Sequence, residues 1–368
     1  MKVLTIFGTR PEIIKLSRVL ARLDEYTEHI MVHTGQSFDY EMNQIFFDDL
    51  HIRKPDYFLG VQAETLGAQI ANVLLKSEAV LKKEKPDAVL ILGDTNSALS
   101  AIVAKRMGIP IFHMEAGNRA FDENVPEEIN RRIVDHISDV NLVYSEHARL
   151  NLLREGLPPD RIFVTGSPMA EIYKHYGRQI GQSKILKELR VVAGNFFVVS
   201  IHREDVVESR KNLSNAVKLL NTVAKAYQLP LIVTTHPRTR KRLWDYHLKA
   251  HKLVKFREPF GFFDYVHLQK QAFCILSDSG TIPEEAAILG LRAVQLRSST
   301  ERPEAYDEGN LILSGFESGT VLKAIEIVTR QAAAGEIFDA PRNYRDANVS
   351  SKVLRHIVGL TTIVRKRR

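Results

Sequence analysis

Short, continuous apolar segments alternate with longer amphipathic stretches along the first half of the chain. These segments carry no period-two alternation of apolar and polar residues, which is typical of parallel strands buried on both faces. They lie at residues 3–7, 30–33, 88–92, 109–112 and 140–144. Helical periodicity fills the intervals, for example over residues 64–81 and 95–107. The pattern predicts an α/β fold with a doubly wound parallel sheet.

The same alternation begins again in the second half, with apolar segments at residues 196–200, 230–234, 273–276 and 293–296. We therefore predict two Rossmann-like domains, residues 1–168 and 182–345, joined through a hinge near 166–182. A last helix within residues 346–368 is expected to pack back on the first domain. Because ligands of open α/β sheets bind at the carboxyl ends of the strands, we expect both sheets to face one central cleft.

Composition agrees with a globular cytoplasmic protein of 368 residues, 26% of them charged and 44% hydrophobic. No apolar run reaches the roughly 18 residues that a membrane span needs, so we predict no membrane insertion. The first strand begins at residue 2, which leaves no room for a signal peptide. Cys274 is the only cysteine and lies in an apolar run, so it is interpreted as a buried strand residue and no disulfide is expected.

The formal net charge of +7 raises the question of a polyanionic partner. Lysines and arginines are interleaved with acidic residues, and only residues 364–368 form a basic block, which we interpret as a solvated terminus. This distribution does not favour nucleic acid. A small polyanion such as a nucleotide accounts for the charge better.

The loop after the first strand, GTRPEIIK at 8–15, has the composition of an anion site. Gly8 permits a tight turn and Pro11 suits the first turn of a helix, while Arg10 and Lys15 add positive charge beside the helix N-terminus. The spacing is not G-x-G-x-x-G, so no bound NAD is predicted. The alternative is an ordinary turn with surface cations.

Three acidic residues follow strands of the first domain. Asp94 lies in LGDTN at 92–96, Glu115 in HMEAGNR at 113–119, and Glu127 in PEEINR at 126–131. If they meet at one end of the sheet, repulsion should leave one of them protonated near neutral pH, which general acid–base catalysis requires. The alternatives are an N-cap role for Asp94 and helix first-turn stabilisation for Glu127.

In the second half, the sequence SIHRE at 200–204 follows an apolar strand and places His202 and Arg203 where an anion could bind. His236 follows the next strand with the same geometry but less support. Neither histidine has metal-ligand spacing with a cysteine or a third histidine, so no metal site is predicted.

The most specific stretch is SDSGTIPEE at 277–285. Its small turn, Ser279-Gly280-Thr281, opens a helix whose free N–H groups can hold a diphosphate, and Glu285 can accept both hydroxyls of a ribose. Arg302, in TERPE at 300–304, can close the phosphate pocket. Together these residues predict a nucleotide-sugar site in the second domain.

These motifs, in this order and spacing, resemble the non-hydrolysing UDP-N-acetylglucosamine 2-epimerase family over nearly the whole chain. The resemblance implies the GT-B architecture, a homodimer, a UDP-sugar substrate and no cofactor. It also implies a reaction that eliminates UDP across C1–C2 and adds it back to a bound 2-acetamidoglycal. The positions matching the family's UDP site are Arg10, His202, Ser279, Gly280, Glu285 and Arg302. The positions matching its sugar site are Lys15, Asp94, Glu115, Glu127 and His202. The family's uracil position corresponds to residues 258–263, among which we include Phe263.

Three departures distinguish this chain within the family. Asn118 stands where the UDP-N-acetylglucosamine enzymes generally have leucine, and the loop at 33–41 is longer than theirs. Ala63 stands where enzymes activated by their own substrate have arginine, so such activation is not expected. The stretches 33–50 and 113–130 are similar to 2-epimerases that form UDP-N-acetyl-L-fucosamine from UDP-2-acetamido-2,6-dideoxy-L-talose for capsule or O-antigen lipopolysaccharide.

Several alternatives stay open at this point. Within the family they are a UDP-N-acetylglucosamine 2-epimerase and a diacetamido-uronate epimerase. Outside it they are a GT-B glycosyltransferase, a hydrolysing epimerase and a non-catalytic nucleotide-sugar sensor. The glycosyltransferase and the sensor have little use for three acidic residues gathered in the first domain, and a hydrolysing epimerase would release free sugar plus UDP instead of an epimeric UDP-sugar.

Overall fold

In the computed structural model, which describes residues 1–36, 40–122 and 125–366, the chain divides into two compact units. Unit 1 comprises Met1–His175 and Arg342–Arg368, and unit 2 comprises Tyr176–Pro341. Each unit is built on its own parallel sheet. The predicted α/β class with two Rossmann-like domains is therefore confirmed.

Unit 1 contains a seven-stranded sheet of order β3-β2-β1-β4-β5-β6-β7, in which every pairing is parallel. Its strands are β1 (Lys2–Phe7), β2 (Glu28–His33), β3 (Tyr57–Phe58), β4 (Ala88–Leu92), β5 (Ile111–Ala116), β6 (Val140–Val143) and β7 (Ile162–Val164). All five residues of β4 are buried, as expected of a central strand covered on both faces. The order reverses between β1 and β4, which makes the loops after these two strands the switch point of the sheet.

The helices of unit 1 cover both faces of this sheet. They are α1 (Arg10–Tyr26), α2 (Tyr40–Asp49), α3 (Leu66–Glu84), α4 (Ser100–Arg106), α5 (Pro126–Ile137), α6 (Glu146–Arg154) and α7 (Met169–His175). The helix predicted over 95–107 begins instead as a 3₁₀ turn, Asn96–Leu99, before α4. Of the loop predicted to be long at 33–41, residues 37–39 lie outside the described residues.

Unit 2 contains a six-stranded parallel sheet of order β10-β9-β8-β11-β12-β13. Its strands are β8 (Phe197–Ser200), β9 (Leu231–Thr234), β10 (Val254–Arg257), β11 (Cys274–Ser277), β12 (Ala293–Gln295) and β13 (Ile312–Leu313). Its helices are α8 (Gly177–Gly181), α9 (Ile185–Leu189), α10 (Glu204–Val207), α11 (Arg210–Tyr227), α12 (Pro237–Asp245), α13 (Phe262–Gln271), α14 (Ile282–Leu289), α15 (Glu304–Asp307) and α16 (Ser318–Ala333). Cys274 is a buried residue of the central strand β11.

The last helix, α17 (Val349–Lys366), belongs to unit 1 and packs on α1, as α7 also does. Ser350 donates through its backbone N–H to Glu171 of α7 at 2.9 Å, and Lys352 donates to the carbonyl of Thr165 at 3.1 Å. Unit 1 thus extends past residue 168 because α7 shares these contacts. Residues 367–368 of the basic terminus lie outside the described residues. In the part that is described, no helix is long and apolar enough to span a bilayer.

Candidate active site

The loop between β1 and α1 is so tightly packed that the neighbours of Gly8 leave no room for a side chain there. A Cβ there would lie 2.0 Å from Thr34 Oγ1 and 2.4 Å from Ser97 Oγ. Thr9 caps α1, and Arg10 opens the helix with its guanidinium carbon 5.7 Å from the ring centre of Phe46. The predicted cation therefore stands at a helix N-terminus beside the switch point of the sheet.

Glu12 is a carboxylate of this loop that sequence reasoning missed. It is buried and accepts hydrogen bonds from Gly8 N at 3.0 Å, Thr9 Oγ1 at 2.7 Å and Thr95 Oγ1 at 3.2 Å. Burial raises the pKa of Glu12 to about 7, although all three donors favour the ionised form. Because Thr95 follows Asp94, Glu12 links the loop after β1 to the loop after β4. Its position one turn into a helix gave the only hint in the sequence.

Lys15 and Glu115 are brought together, since the ammonium of Lys15 donates to Glu115 Oε2. Their side chains are only 5% and 11% exposed, so water screens the pair weakly. The ammonium also lies 5.7 Å from the ring centre of Tyr144. A buried cation thus holds the Glu115 carboxylate in one place.

Glu115 has a strained backbone. Its φ is 62°, in the left-handed region, and the register of β5 against β6 shifts between Met114 and Ala116. Such a conformation costs a residue other than glycine about 1–3 kcal/mol and is commonly found at functional sites. The extra residue turns the Glu115 side chain out of the regular alternation of the strand.

Asp94 follows β4 and Gly93, whose φ is 72°. It does not cap a helix, since Thr95 occupies the N-cap position of the 3₁₀ turn. Arg131 Nε of α5 donates to Asp94 Oδ2 at 2.6 Å, and Asn130 Nδ2 donates to the Asp94 carbonyl at 2.9 Å. The third predicted acid, Glu127, is exposed in the first turn of α5.

The neighbour of Glu127 has a structural role. Glu128 is buried and accepts from Ala120 N at 3.1 Å and from Arg131 Nη1 at 2.7 Å. Arg131 therefore joins Glu128 to Asp94. Of the two adjacent glutamates, only Glu127 leaves its carboxylate open to a ligand.

In unit 2, the backbone N–H groups of His202 and Arg203 both donate to Asp278, at 3.0–3.1 Å. Asp278 is fully buried, whereas the imidazole of His202 is half exposed, with Nδ1 3.1 Å from Asp278 Oδ1. Desolvation opposes protonation of His202, but the Asp278 carboxylate outweighs it and raises the pKa of His202 above its ordinary value. His202 is thus biased towards the cation that a diphosphate would favour.

The turn at 279–281 precedes α14 as predicted, with Thr281 as N-cap. Ser279 and Thr281 share a hydrogen bond of 2.9 Å between their hydroxyls, and Thr281 Oγ1 donates to Glu285 Oε1 at 2.6 Å. Gln269 Nε2 donates to the other oxygen of Glu285. These contacts orient the Glu285 carboxylate along one face of the turn.

Arg302 lies beneath this turn and is only 2% exposed. Its Nη1 donates to the carbonyl of Gly280, and its guanidinium lies 3.3 Å from Glu301 and 3.5 Å from Glu284. A Cβ at Gly280 would lie 2.2 Å from Glu301 Oε1, so a larger residue here would displace the Glu301 carboxylate from Arg302. Arg302 therefore stabilises the turn through its hydrogen bond to the Gly280 carbonyl.

The remaining predicted residues of unit 2 have separate surroundings. Arg203 Nε donates to Asp205 Oδ1 at 3.0 Å. His236 is exposed and caps α12 by accepting from Arg238 N at 3.2 Å. Phe263 lies on α13, with its ring centre 5.5 Å from that of Tyr176. Within the described ranges, no group of three or more His, Cys, Asp or Glu residues is placed to hold a metal ion.

Two parallel-sheet units, one with ion-paired acids at strand ends and one with a hydroxyl-rich turn before a helix, are the arrangement of an α/β enzyme. The chain belongs to the UDP-N-acetylglucosamine 2-epimerase family, whose sequence model matches residues 21–358. The predicted family is thereby confirmed, and so is the enzyme class, an isomerase that acts as a 2-epimerase.

Individual relatives agree with this assignment. The chain is similar to the structure of a Rickettsia bellii UDP-N-acetylglucosamine 2-epimerase, with 48% identity, a TM-score of 0.90, and coverage of 100% of this chain and 98% of that one. It also resembles the Methanocaldococcus jannaschii UDP-GlcNAc 2-epimerase in complex with UDP-GlcNAc and UDP, at 36% identity, TM-score 0.91 and coverage of 98% and 100%. A Pseudomonas aeruginosa UDP-2,3-diacetamido-2,3-dideoxy-D-glucuronate 2-epimerase is 33% identical over 98% of this chain and 100% of its own length.

Proposed function

We propose that this enzyme inverts C2 of UDP-2-acetamido-2,6-dideoxy-L-talose to form UDP-N-acetyl-L-fucosamine, without hydrolysis. The observation that carries the catalytic part of this proposal is the strained, cation-paired Glu115 at the end of a central strand. A nearly buried, oriented carboxylate at that point of a parallel sheet is suited to proton transfer.

The chemistry requires a route around an unactivated C–H bond. The proton at C2 is not next to a carbonyl, so direct deprotonation is out of reach without an oxidised cofactor. We propose that a base removes the C2 proton while the C1–O bond breaks and UDP leaves with the electron pair. A 2-acetamidoglycal remains bound. Protonation of C2 from the opposite face and return of UDP to C1 then give the epimer.

Unit 1 supplies the acid–base groups in this proposal. Glu115, held by Lys15, and Asp94, held by Arg131, are two carboxylates at neighbouring strand ends, and Glu127 is a third, exposed one. Each of the first two carboxylates is oriented by its own cation, whereas Glu127 lies open to solvent. Two carboxylates in different surroundings can therefore divide the roles of base and acid.

Unit 2 is proposed to hold UDP. The turn at 279–281 and the helix α14 behind it offer N–H groups to the diphosphate, Glu285 faces the ribose, and His202, whose pKa the Asp278 carboxylate raises, adds positive charge when it is protonated. Arg203, His236, Thr281, Phe263 and Arg302 complete the proposed set of unit 2, and Arg10 of unit 1 is a further UDP position that only the family resemblance implies. Cationic donors stabilise the diphosphate as its negative charge develops on leaving C1.

The choice of sugar rests on the sequence resemblance at 33–50 and 113–130. Asn118 is buried in unit 1, three residues after Glu115 on the chain, where the UDP-N-acetylglucosamine enzymes generally have leucine. An amide in place of an apolar side chain changes which sugar substituents can pack there. The same resemblance supports a homodimer and a place in surface-polysaccharide synthesis.

Incubation with UDP-sugar alone in deuterated water tests the reaction. We expect one deuterium at C2 of both epimers without any acceptor, detected by NMR and mass spectrometry. Glu115→Gln is the matched control and should show no exchange. Free sugar plus UDP would instead indicate a hydrolysing enzyme, and exchange that needs an acceptor would indicate a transferase.

A panel of UDP-2-acetamido sugars tests the substrate. The 6-deoxy-L-talose derivative should give the highest kcat/KM, because the proposed pocket differs from that of the UDP-N-acetylglucosamine enzymes at Asn118. A higher kcat/KM with UDP-N-acetylglucosamine, or with the diacetamido-uronate sugar, would overturn the 6-deoxy assignment while leaving the 2-epimerase reaction in place.

A further inference from the structure

Two residues close to the strained Glu115, one before it and one after it on the chain, form hydrogen bonds with the same buried carboxylate. Asp135 of α5 is fully buried. Its Oδ2 accepts from Gly117 N at 3.1 Å and from Arg119 Nη1 at 2.7 Å, and its Oδ1 lies 2.9 Å from His113 Nδ1. His113 stands two residues before Glu115 and Gly117 two residues after it. The chain is therefore anchored on both sides of the residue at which the strand register shifts.

The second nitrogen of His113 reaches the other proposed acid–base loop. His113 Nε2 lies 2.8 Å from the carbonyl oxygen of Gly93, the residue before Asp94. A carbonyl can only accept, so Nε2 must donate. His113 thus connects the backbone beside Asp94 to the carboxylate that anchors the backbone beside Glu115.

The groups that contact Asp135 favour its ionised form. Burial opposes ionisation of Asp135, but His113 and Arg119 outweigh it and hold the pKa of Asp135 below its ordinary value. Arg119 also donates to Glu155 at 2.6–2.7 Å. Arg119 thus bridges two carboxylates inside unit 1.

We propose that Asp135 and His113 are positioning residues for the epimerase reaction, which fix the backbone at Glu115 and at Asp94 together. This inference rests on the proposed function, because it assumes that these two acids transfer protons. Asp135 bonds to both flanks of Glu115, so the strained conformation persists without a ligand. His113 couples the Gly93 carbonyl to the same anchor, so the two loops keep one mutual arrangement.

A purely structural cluster would behave differently. Loss of a buried ion pair would then lower stability and disturb all ligand contacts of the protein alike. A positioning role instead predicts a split: turnover falls while binding of UDP, proposed for unit 2, is kept. Misplacement of a catalytic group by about 1 Å can cost about 100-fold in rate.

Asp135→Asn is the first test, because it keeps the shape of the side chain and removes its charge. We expect kcat to fall at least about 100-fold, with KM for the UDP-sugar and the affinity for UDP within about 3-fold of the wild type by calorimetry. Asp139→Asn is the matched control. Asp139 is also buried and ion-paired, to Lys105 at 2.6 Å, but it binds Ile111 N at the opposite end of β5. It should lose stability and keep kcat.

Unchanged kcat in folded Asp135→Asn, or an equal loss of kcat and UDP affinity, would overturn the inference. If Asp135→Asn does not fold, His113→Gln takes its place, with the same split expected and the same results counting against it. Nitrogen NMR of the wild-type histidines supplies a readout that needs no substrate. Nε2 of His113, assigned through the His113→Gln spectrum, should carry a proton because it faces the Gly93 carbonyl, and an Nε2 without a proton would contradict the proposed network.

These outcomes are distinguishable from failure of the proposed function. If the wild-type enzyme exchanges no C2 proton in any UDP-sugar of the panel, the reaction itself is wrong. If the wild type is active and Asp135→Asn is equally active, only the positioning role is wrong.

Discussion

Lys15 of α1 and Glu115 at the end of β5 form a nearly buried ion pair across 100 residues of sequence. The pair joins the loop after the first strand to a residue with left-handed backbone. A charge held in this way has few alternative positions, because each partner would lose its main counter-charge on moving. The structure thus fixes the orientation of a proposed catalytic carboxylate before substrate binds.

Glu115→Gln should lower kcat by at least about 100-fold, since general acid–base groups commonly contribute that much. UDP affinity should stay within a few-fold, because the proposed UDP contacts belong to unit 2. The measurements are NMR turnover and calorimetric titration with UDP. Glu25→Gln, on the exposed part of α1, serves as control and should leave both unchanged. Loss of UDP binding in parallel with turnover would show that Glu115 is structural.

Glu12→Gln should change how stability depends on pH. The pKa of Glu12 rises from 4.5 to about 7 on folding, so the folded chain holds this proton more tightly than the unfolded chain does. The contribution of this tightly held proton to the free energy of unfolding is fully present below about pH 4.5 and is lost as pH rises through 7. Relative to Glu12→Gln, the wild type should therefore lose up to about 3 kcal/mol of unfolding free energy between pH 4.5 and 7. Parallel urea denaturation curves for the two proteins across this range would contradict the burial of an ionisable Glu12.

Gly117→Ala should be strongly destabilising. The φ of Gly117 is +79°, and an added Cβ would lie 2.3 Å from the carbonyl oxygen of Ala148. Backbone strain and a clash with main chain then act together, and we expect a loss of more than about 2 kcal/mol. Gly156→Ala separates the two effects, because its φ is +86° and no atom lies within 4 Å of the added Cβ. Equal thermal shifts for both variants would show that the clash with Ala148 is relieved without cost.

Arg302→Ala should affect stability as well as ligand binding. It withdraws a buried cation from Glu284 and Glu301 and removes the brace on the Gly280 carbonyl. Breaking a buried ion pair commonly costs about 3–5 kcal/mol. We expect a lower urea midpoint and weaker UDP binding, both measured on the same preparation. A change in stability below about 0.5 kcal/mol would place Arg302 outside the support of the turn.

Pattern in the sequence predicted the long, central strands well. The apolar runs that became β1, β4 and β11 are buried on both faces, and their composition alone reveals this. The two-residue strands β3 and β13 carry no such signal, because two residues give no periodicity. Their positions depend on pairing with β2 and β12. The position of an edge strand this short depends on its pairing with the adjacent strand. The pattern of a single sequence does not show which strands pair.

The site was predictable in its residue types and less so in its pairings. Loops after strands pointed to Lys15, Asp94 and Glu115, because parallel sheets bring such loops to one edge. The side chains that contact these residues could not be predicted from the sequence. Nothing in the helix PEEINRRIVDHI indicates that Asp135 binds both flanks of Glu115, since the contact depends on how α5 packs against β5. Burial likewise decides that Glu128 is structural while Glu127 is open.

The helix α17 makes unit 1 discontinuous along the chain. Unit 1 is formed from two separate stretches of chain, with α17 packed on α1, whereas unit 2 is one continuous stretch between them. During synthesis, domains generally fold as their residues leave the ribosome. Unit 2 can therefore reach its native form as soon as residue 341 has been made. In unit 1, α1 is covered only after the residues beyond 341 have been made. The part of the protein made earliest therefore contains a helix, α1, whose packing is completed by the part made last.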